Sequence, residues 1–229
     1  MSLILNIDTT SETALLNIAD TGYILAEENN LHQKDHAAFL HPAIGLLMKK
    51  TGIELNDLSA IAVCHGPGSY TGIRVGMSSA KGLCYTLNKP LILLNSLEVL
   101  TKDVIDNPDA VPAMKPVLYC PMIDARRMEV FTAVYDKSLN VIDPPSALIL
   151  EQNSYVKVLL NSQVLFFGNG AAKWQQLCVH ENALFADIKN KGLAMSRLSY
   201  QKLQEKDFSD IAYSEPFYLK EFYTAPNNT

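Results

Sequence analysis

A chain of 229 residues with 48% apolar side chains is long enough for one large or two small domains with a real core. Its 19 basic residues are outnumbered by 24 acids, for a formal charge of −5, and no segment gathers the basic ones into a stripe. That balance speaks against tight nucleic-acid binding by this chain alone, because such binding rests largely on neutralising phosphates.

Leu3 to Ile7 read as a first strand, ended by the hydroxyl-rich turn Asp8-Thr9-Thr10-Ser11. This opening apolar run carries no charged leader and is too short for a signal peptide or a membrane span, so a cytoplasmic protein without a membrane partner is expected. Cys64, Cys84, Cys120 and Cys178, scattered without a C-x-x-C pair, fit small core residues in a reducing compartment. Thr13 to Ile18 and Tyr23 to Ala26 predict a hairpin around Asp20-Thr21-Gly22. Asp35 stands as an N-cap for a helix from about His36 to Lys50, stopped by Gly52. A strand over 60–64, a helix from Thr71 to about Leu87, a strand over 91–94 and a helix from Ser96 to about Ile105 follow, the alternation of an α/β sheet.

The polar, proline-rich stretch 106–112 reads as a linker. Beyond it, Val117 to Met122 and Glu129 to Tyr135 predict strands joined by the hairpin Asp124-Ala125-Arg126-Arg127. A helix near Ser154 to Leu160, a strand over 164–167, the turn Gly168-Asn169-Gly170-Ala171 and a helix from about Leu193 to Lys206 complete the pattern. The second half opens in the same order as the first, which predicts two similar α/β lobes, residues 1–106 and 107–229, the last helix being free to pack back on the first lobe.

The segment Gly66-Pro67-Gly68-Ser69-Tyr70-Thr71-Gly72-Ile73-Arg74-Val75-Gly76 carries the most information. Four glycines and a proline between a strand and a helix make a loop of exposed backbone, open to an anion at the helix start or to a tight connection with no ligand. It is not a Walker loop, since Ile73 and Arg74 follow Gly72 where that motif needs a lysine. Nor is Ser69 a nucleophile elbow, because Pro67 and Thr71 occupy the positions that need glycine. Asp8, Thr9 and Thr10, after the C-terminal end of the first strand, suit a phosphate or a capped hairpin. His32 and His36 are four apart, but His32 precedes the helix start, so no metal is expected there. His36 is expected to hydrogen-bond at the helix entrance. Gly72, Gly76 and Ala80, with Ser79 beside them, recur every four residues, and the preceding helix spreads Phe39, Ala43 and other apolar residues over more than one face. Two such surfaces suggest either packing inside the lobe or a subunit interface.

Ile-Asp-Thr-Thr-Ser-Glu-Thr at 7–13, His36 ahead of 40–42, the segment 66–76, Ala80-Lys81-Gly82-Leu83, Asp-Ala-Arg-Arg-Met-Glu-Val-Phe at 124–131 and Tyr218-Leu219-Lys220 together resemble the TsaB (YeaZ) family over nearly the whole chain. The resemblance implies an actin-like ATPase (ASKHA) fold, two lobes each with a mixed β-sheet flanked by helices. It implies a degenerate relative of TsaD, the metal-bearing subunit that transfers threonylcarbamoyl to N6 of the adenosine beside the anticodon of tRNAs reading codons that begin with A. Where TsaD carries an H-x-x-x-H pair, Ser96 and Leu100 stand here; leucine has no donor atom and neutral serine is a weak ligand, so neither a metal nor a catalytic residue is expected.

A vestigial ATP/ADP site would fall on Asp8, Thr9, Thr10, Gly66, Gly68, Gly168 and Gly170, although no glycine stands in the first phosphate turn. The expectation is a non-catalytic scaffold with no required cofactor, binding a TsaD-like subunit through Phe39, Ala43, Gly72, Arg74, Gly76, Ser79 and Ala80. Arg74 and Lys81 would lie at the rim. A TsaE-like ATPase would dock on the pair, tRNA would be met only through the complex, and the chain alone would form a homodimer. The alternative is an independent actin-fold ATPase or kinase, or a metallopeptidase. The role of Arg126 and Arg127 stays open between RNA, nucleotide and the ATPase.

Overall fold

The opening apolar run folds as strand β1 (Leu3–Asp8), buried along its whole length because both of its faces are covered. Leu3, Leu5 and Ile7 enter one core and Ile4 another, the two-residue period of a pleated strand. Each such side chain taken fully out of water contributes about 1.5–3 kcal/mol. The computed structural model describes residues 1–30, 35–107, 118–187 and 192–220. His32 and most of the 106–112 linker lie outside them.

After β1 come β2 (Ala14–Asp20), β3 (Tyr23–Asn30), α1 (His36–Thr51), β4 (Ala60–Gly66), α2 (Tyr70–Leu87), β5 (Leu91–Asn95) and α3 (Ser96–Asp106). The second half repeats the order with β6 (Leu118–Asp124), β7 (Glu129–Tyr135), β8 (Val141–Ile149), α4 (Val156–Leu159), β9 (Val164–Phe167), α5 (Ala171–Gln175), β10 (Ala183–Ala186) and α6 (Gly192–Glu205). The sheets run β3-β2-β1-β4-β5 and β8-β7-β6-β9-β10. In each, the central strand has antiparallel neighbours on one side and parallel ones on the other. This is the duplicated, mixed-sheet α/β architecture expected from the sequence.

Helices and sheets alternate in five layers. Leu40, Ala43 and Leu47 of α1, with Ile73, Met77 and Ala80 of α2, cover the outer face of the first sheet. Trp174 of α5 and Leu159 of α4 cover the outer face of the second. Between the sheets the helices are exchanged: α3 places Leu97, Leu100 and Val104 on β6, β7 and β9, whereas Met195 and Leu198 of α6 lie on the first sheet. Ser196 Oγ donates to Asn17 Oδ1 at 3.0 Å and Asn17 Nδ2 to the Gly192 carbonyl at 3.2 Å, fixing α6 on β2. Asp106 accepts from Lys102 (2.7 Å) and Arg197 (2.6 Å), joining α3 to α6; burial pulls its carboxyl upward, but the two cations outweigh this and hold it below the usual range. Helix α6 therefore packs back on the sheet of the first lobe.

Local signals explain most boundaries. Ser69 caps α2, its Oγ accepting from Gly72 N at 3.3 Å, a contact worth about 1 kcal/mol. Gly52 ends α1 in the left-handed conformation at φ 69. Asp35 precedes α1 but makes no side-chain cap hydrogen bond. The helix expected over 154–160 is a single turn, and β8 and β10 were not anticipated. Asp143-Pro144-Pro145 lies in an edge strand, where a missing donor on the outer side costs little, and the β7–β8 register shifts there. Cys64, Cys84 and Cys120 are buried core residues, with burial pushing the Cys84 and Cys120 thiols up to about 12.

Candidate functional site

The turn after β1 is closed by its own bonds. Asp8 is 2% exposed, and its Oδ1 accepts from Thr10 N at 2.9 Å and Thr10 Oγ1 at 2.6 Å. Thr9 Oγ1 donates to the Gly72 carbonyl at 2.7 Å, Ser69 N to the Thr10 carbonyl at 2.7 Å, and Ser96 Oγ to Thr10 Oγ1 at 3.2 Å. These bonds tie the turn, which the sequence suits to a phosphate or to a capped hairpin, to the glycine segment and the start of α3. As expected, His36 hydrogen-bonds at the helix entrance: its Nε2 donates to the Ser11 carbonyl at 2.9 Å.

The glycines of 66–76 are required by this contact. A Cβ on Gly68 would overlap the Thr10 carbonyl, one on Gly72 the Thr9 carbonyl and one on Gly76 the Thr9 hydroxyl. Gly66 lets the chain meet Phe217, whose carbonyl would stand 2.7 Å from an added Cβ. The expected partner stripe is thereby corrected: Gly72, Gly76 and Ala80 are buried against their own sheet. Ala43 is buried too, Phe39 is half-buried on the same core, and Ser79 is half-buried with Oγ 3.4 Å from His41 Nε2. The available signal was the helical phase, since Ile73, Met77, Ala80 and Cys84 mark the inner side of α2 on which the two glycines also fall.

Gly168 and Gly170 serve the second lobe likewise. Cβ atoms there would lie 2.5 Å from the Met122 carbonyl and 2.8 Å from Val130 Cγ1, and Gly170 N donates to Met122 O at 2.9 Å. Ser96 is buried on Thr10 and Leu100 is buried between the sheets. Among the described residues, no group of three His, Cys, Asp or Glu side chains could hold a metal ion, and no helix is long and apolar enough to cross a membrane.

The outward faces of α1 and α2 carry a different set of residues. Ala37, Ala38, His41, Gly45 and Leu46 are exposed on α1, and Ser78, Gly82 and Tyr85 on α2. Nothing lies within 4 Å of a Cβ placed on Gly45 or Gly82. Leu46 is 49% exposed and Tyr85 82%, so two large side chains flank two bare stretches of backbone.

Arg74 and Lys81, expected at the rim, hold the C-terminal segment. Arg74 Nε donates to Tyr218 Oη at 2.9 Å while its guanidinium lies 4.0 Å over the Tyr70 ring, and Tyr70 and Tyr218 stack at 4.9 Å. Tyr218 holds the guanidinium above its ordinary pKa, leaving it fully charged. Lys81 Nζ donates to the carbonyls of Ala212 (3.2 Å) and Ser214 (3.0 Å). Phe217 N donates to the His65 carbonyl at 2.8 Å, and Lys220 pairs with Glu129 of the second lobe. The segment is a strap that runs along the first lobe and is tied to the second.

Between strap, glycine segment and the β6–β7 hairpin lies a cleft of about 530 Å3. Arg126 and Arg127, at the hairpin tip, both take the left-handed backbone (φ 70 and 49), a conformation costing on the order of 1 kcal/mol or more per non-glycine residue. Asp124 steadies the turn, its Oδ1 accepting from Arg126 N at 2.5 Å and pairing with Lys173 at 2.7 Å.

A family profile described as TsaD, tRNA N6-adenosine threonylcarbamoyltransferase, matches residues 27–218. The chain is 30% identical over 180 residues to the tRNA threonylcarbamoyladenosine biosynthesis protein TsaB of Bacillus subtilis (strain 168), covering 76% of this chain and 74% of that one. The protein of the same name from Escherichia coli (strain K12) is 25% identical over 95% of this chain and 94% of its own. In fold, the chain is similar to YeaZ from Pseudomonas aeruginosa, with a TM-score of 0.76 at 22% identity over 96% of this chain and 100% of that one.

Proposed function

The chain belongs to the TsaB (YeaZ) family, and from that membership we propose that it acts in tRNA threonylcarbamoyladenosine biosynthesis as a non-catalytic scaffold that binds a TsaD-like catalytic subunit through the outer face of α1 and α2. The observation that carries the proposal is that face: Gly45 and Gly82 bare their backbone beside the exposed Leu46 and Tyr85. Open glycines let a second pair of helices approach closely, and aromatic and leucyl side chains left in water supply the apolar gain. The same chemistry lets two copies pair when the partner is absent, giving a homodimer through a self-complementary patch.

No catalytic residue or cofactor is assigned to this chain. The Asp8 turn supports that reading because Asp8 Oδ1 and the Thr9 and Thr10 hydroxyls bond within the first lobe, and Ser96 and Leu100 offer no ligand set for a divalent ion. A TsaE-like ATPase would join the assembled pair, and tRNA would be engaged by the complex. The test is depletion of the protein followed by measurement of threonylcarbamoyladenosine in bulk tRNA. The modification should fall, native protein should restore it, and Gly82→Trp should not. Full restoration by Gly82→Trp would reject the interface, and unchanged modification on depletion would reject the role.

A further inference from the structure

We propose that the C-terminal strap is a latch: fixed on the first lobe as far as Tyr218, it crosses the mouth of the interlobe cleft and holds the lobes closed through the pair of Lys220 with Glu129, and loss of that pair lets the cleft open. The latch belongs to the chain alone and goes beyond the partner-binding reading. The arm is fastened along its length. Ser209 N donates to the Leu91 carbonyl at 2.9 Å, Ile211 packs on the first core, and Asp210 Oδ1 accepts from Ala212 N (2.7 Å) and Tyr213 N (2.9 Å), which stiffens the turn. Lys81, His65, Arg74 and Tyr70 take up residues 212–218, and the Phe217 ring lies 5.7 Å from that of His65.

The catch on the second lobe is fixed as well. Glu129 N donates to the Arg126 carbonyl at 3.1 Å, and the Glu129 carbonyl accepts from Ala125 N at 3.1 Å and from Lys173 Nζ at 3.1 Å. The contact between arm and catch is the part suited to release. The Lys220 side chain is 51% exposed and that of Glu129 15%, and a partly exposed ion pair contributes little net stability and weakens with salt. Several bonds at one end against an exposed pair at the other make the Lys220–Glu129 contact the first to give, with the strap staying on the first lobe as the lobes part.

The lobes also have a base about which to move. Helices α3 and α6 fill the space between the sheets, and Asp106 joins them through Arg197. Ser96, at the other end of α3, bonds to Thr10, which lines the cleft, so Asp106 stands roughly 15 Å away from the mouth by the rise of a helix. At the mouth, Pro67, Gly68 and Tyr70 on one wall and Ala125, Arg126 and Arg127 on the other border a space of about 530 Å3. Walls separated by that space do not hold each other, so the tie across the mouth sets how far they part.

The test is the distance between spin labels on Glu12→Cys and Ala172→Cys, exposed positions on opposite lobes, read by pulsed electron resonance on the full chain diluted with unlabelled chain. Cys178→Ser removes the half-buried thiol, and the buried Cys64, Cys84 and Cys120 escape the label. At low salt, Lys220→Gln and Glu129→Gln should each raise the population at longer distances about two- to fivefold over the native chain, with the urea midpoint near its native value. About 1 M salt should carry the native chain to the same distribution and leave the two variants little changed. Arg74→Ala/Tyr218→Ala, which frees the arm from the first lobe, should open the cleft likewise. A native distribution in both glutamine variants would overturn the latch, as would one in Arg74→Ala/Tyr218→Ala or a native chain that high salt leaves unaltered.

Discussion

Thr9 and Gly72 are locked together from both sides: the Thr9 hydroxyl donates to the Gly72 carbonyl at 2.7 Å, and the Thr9 carbonyl occupies the space where a Cβ on Gly72 would stand. The β1 turn and the first turn of α2 therefore form one packed unit. Gly72→Ala should destabilise the fold by about 1–3 kcal/mol, because backbone must shift to admit the methyl group. The urea midpoint, read with an unchanged m-value, measures it; a midpoint equal to that of the native chain would show the contact to be looser than described.

Gly82 is the opposite case on the same helix, with nothing within 4 Å of an added Cβ. Gly82→Ala should raise stability by about 0.5–1 kcal/mol through helix propensity and a less disordered unfolded chain. A thermal melt of the two proteins side by side is sufficient, and a lower melting temperature would place Gly82 on an inner face.

Much of this was legible in the sequence. Strands β1, β2, β4, β5, β7 and β9, the long helices and the hairpin turns follow from apolar period and capping residues, and the repeated order of the halves is visible in the pattern. The second lobe is less so, because α4 and α5 are too short to show a helical period and β8 hides two prolines at a sheet edge. For the site, His36 was placed correctly from its position at the helix start. The glycines at 72 and 76 were assigned to a partner because spacing alone does not say which way a small face points; the neighbouring Ile73 and Met77 do. The ties of Arg74 and Lys81 to the strap link residues more than 130 positions apart, and no local pattern encodes them.

Arg74→Ala should loosen the strap, since it removes both the donor to Tyr218 and the cation lying over Tyr70. The Phe217 amide, which bonds to the His65 carbonyl, should exchange several-fold faster, while amides of the β1–β4 ladder keep their native rates. Tyr218→Ala should act alike. Unaltered exchange at Phe217 in both variants would mean that the strap is held elsewhere.

His65 gives the fold a pH dependence of definite sign. Burial lowers its pKa below 6.5; the bond from Nδ1 to the Leu94 carbonyl opposes this and Lys202 adds to it. The unfolded chain takes up the proton first as pH falls, so the contribution of neutral His65 is full above about pH 6.5 and is lost as pH drops through the folded pKa. His65→Gln keeps a donor for Leu94 without titrating, so its stability should change less between pH 7.5 and 5.5 than that of the native chain. Denaturation midpoints at the two pH values test this, and parallel pH dependence in the two proteins would assign it to other groups.

The association constant between this chain and a TsaD-like subunit, compared for the native sequence and Gly82→Trp, tests the central claim most directly. With the urea midpoint held at or near its native value, the variant should bind at least about a hundredfold more weakly, as a bulky group forces the two surfaces apart at the centre of the contact. Native affinity in a folded Gly82→Trp protein would contradict the assignment of the α1–α2 outer face as the partner surface.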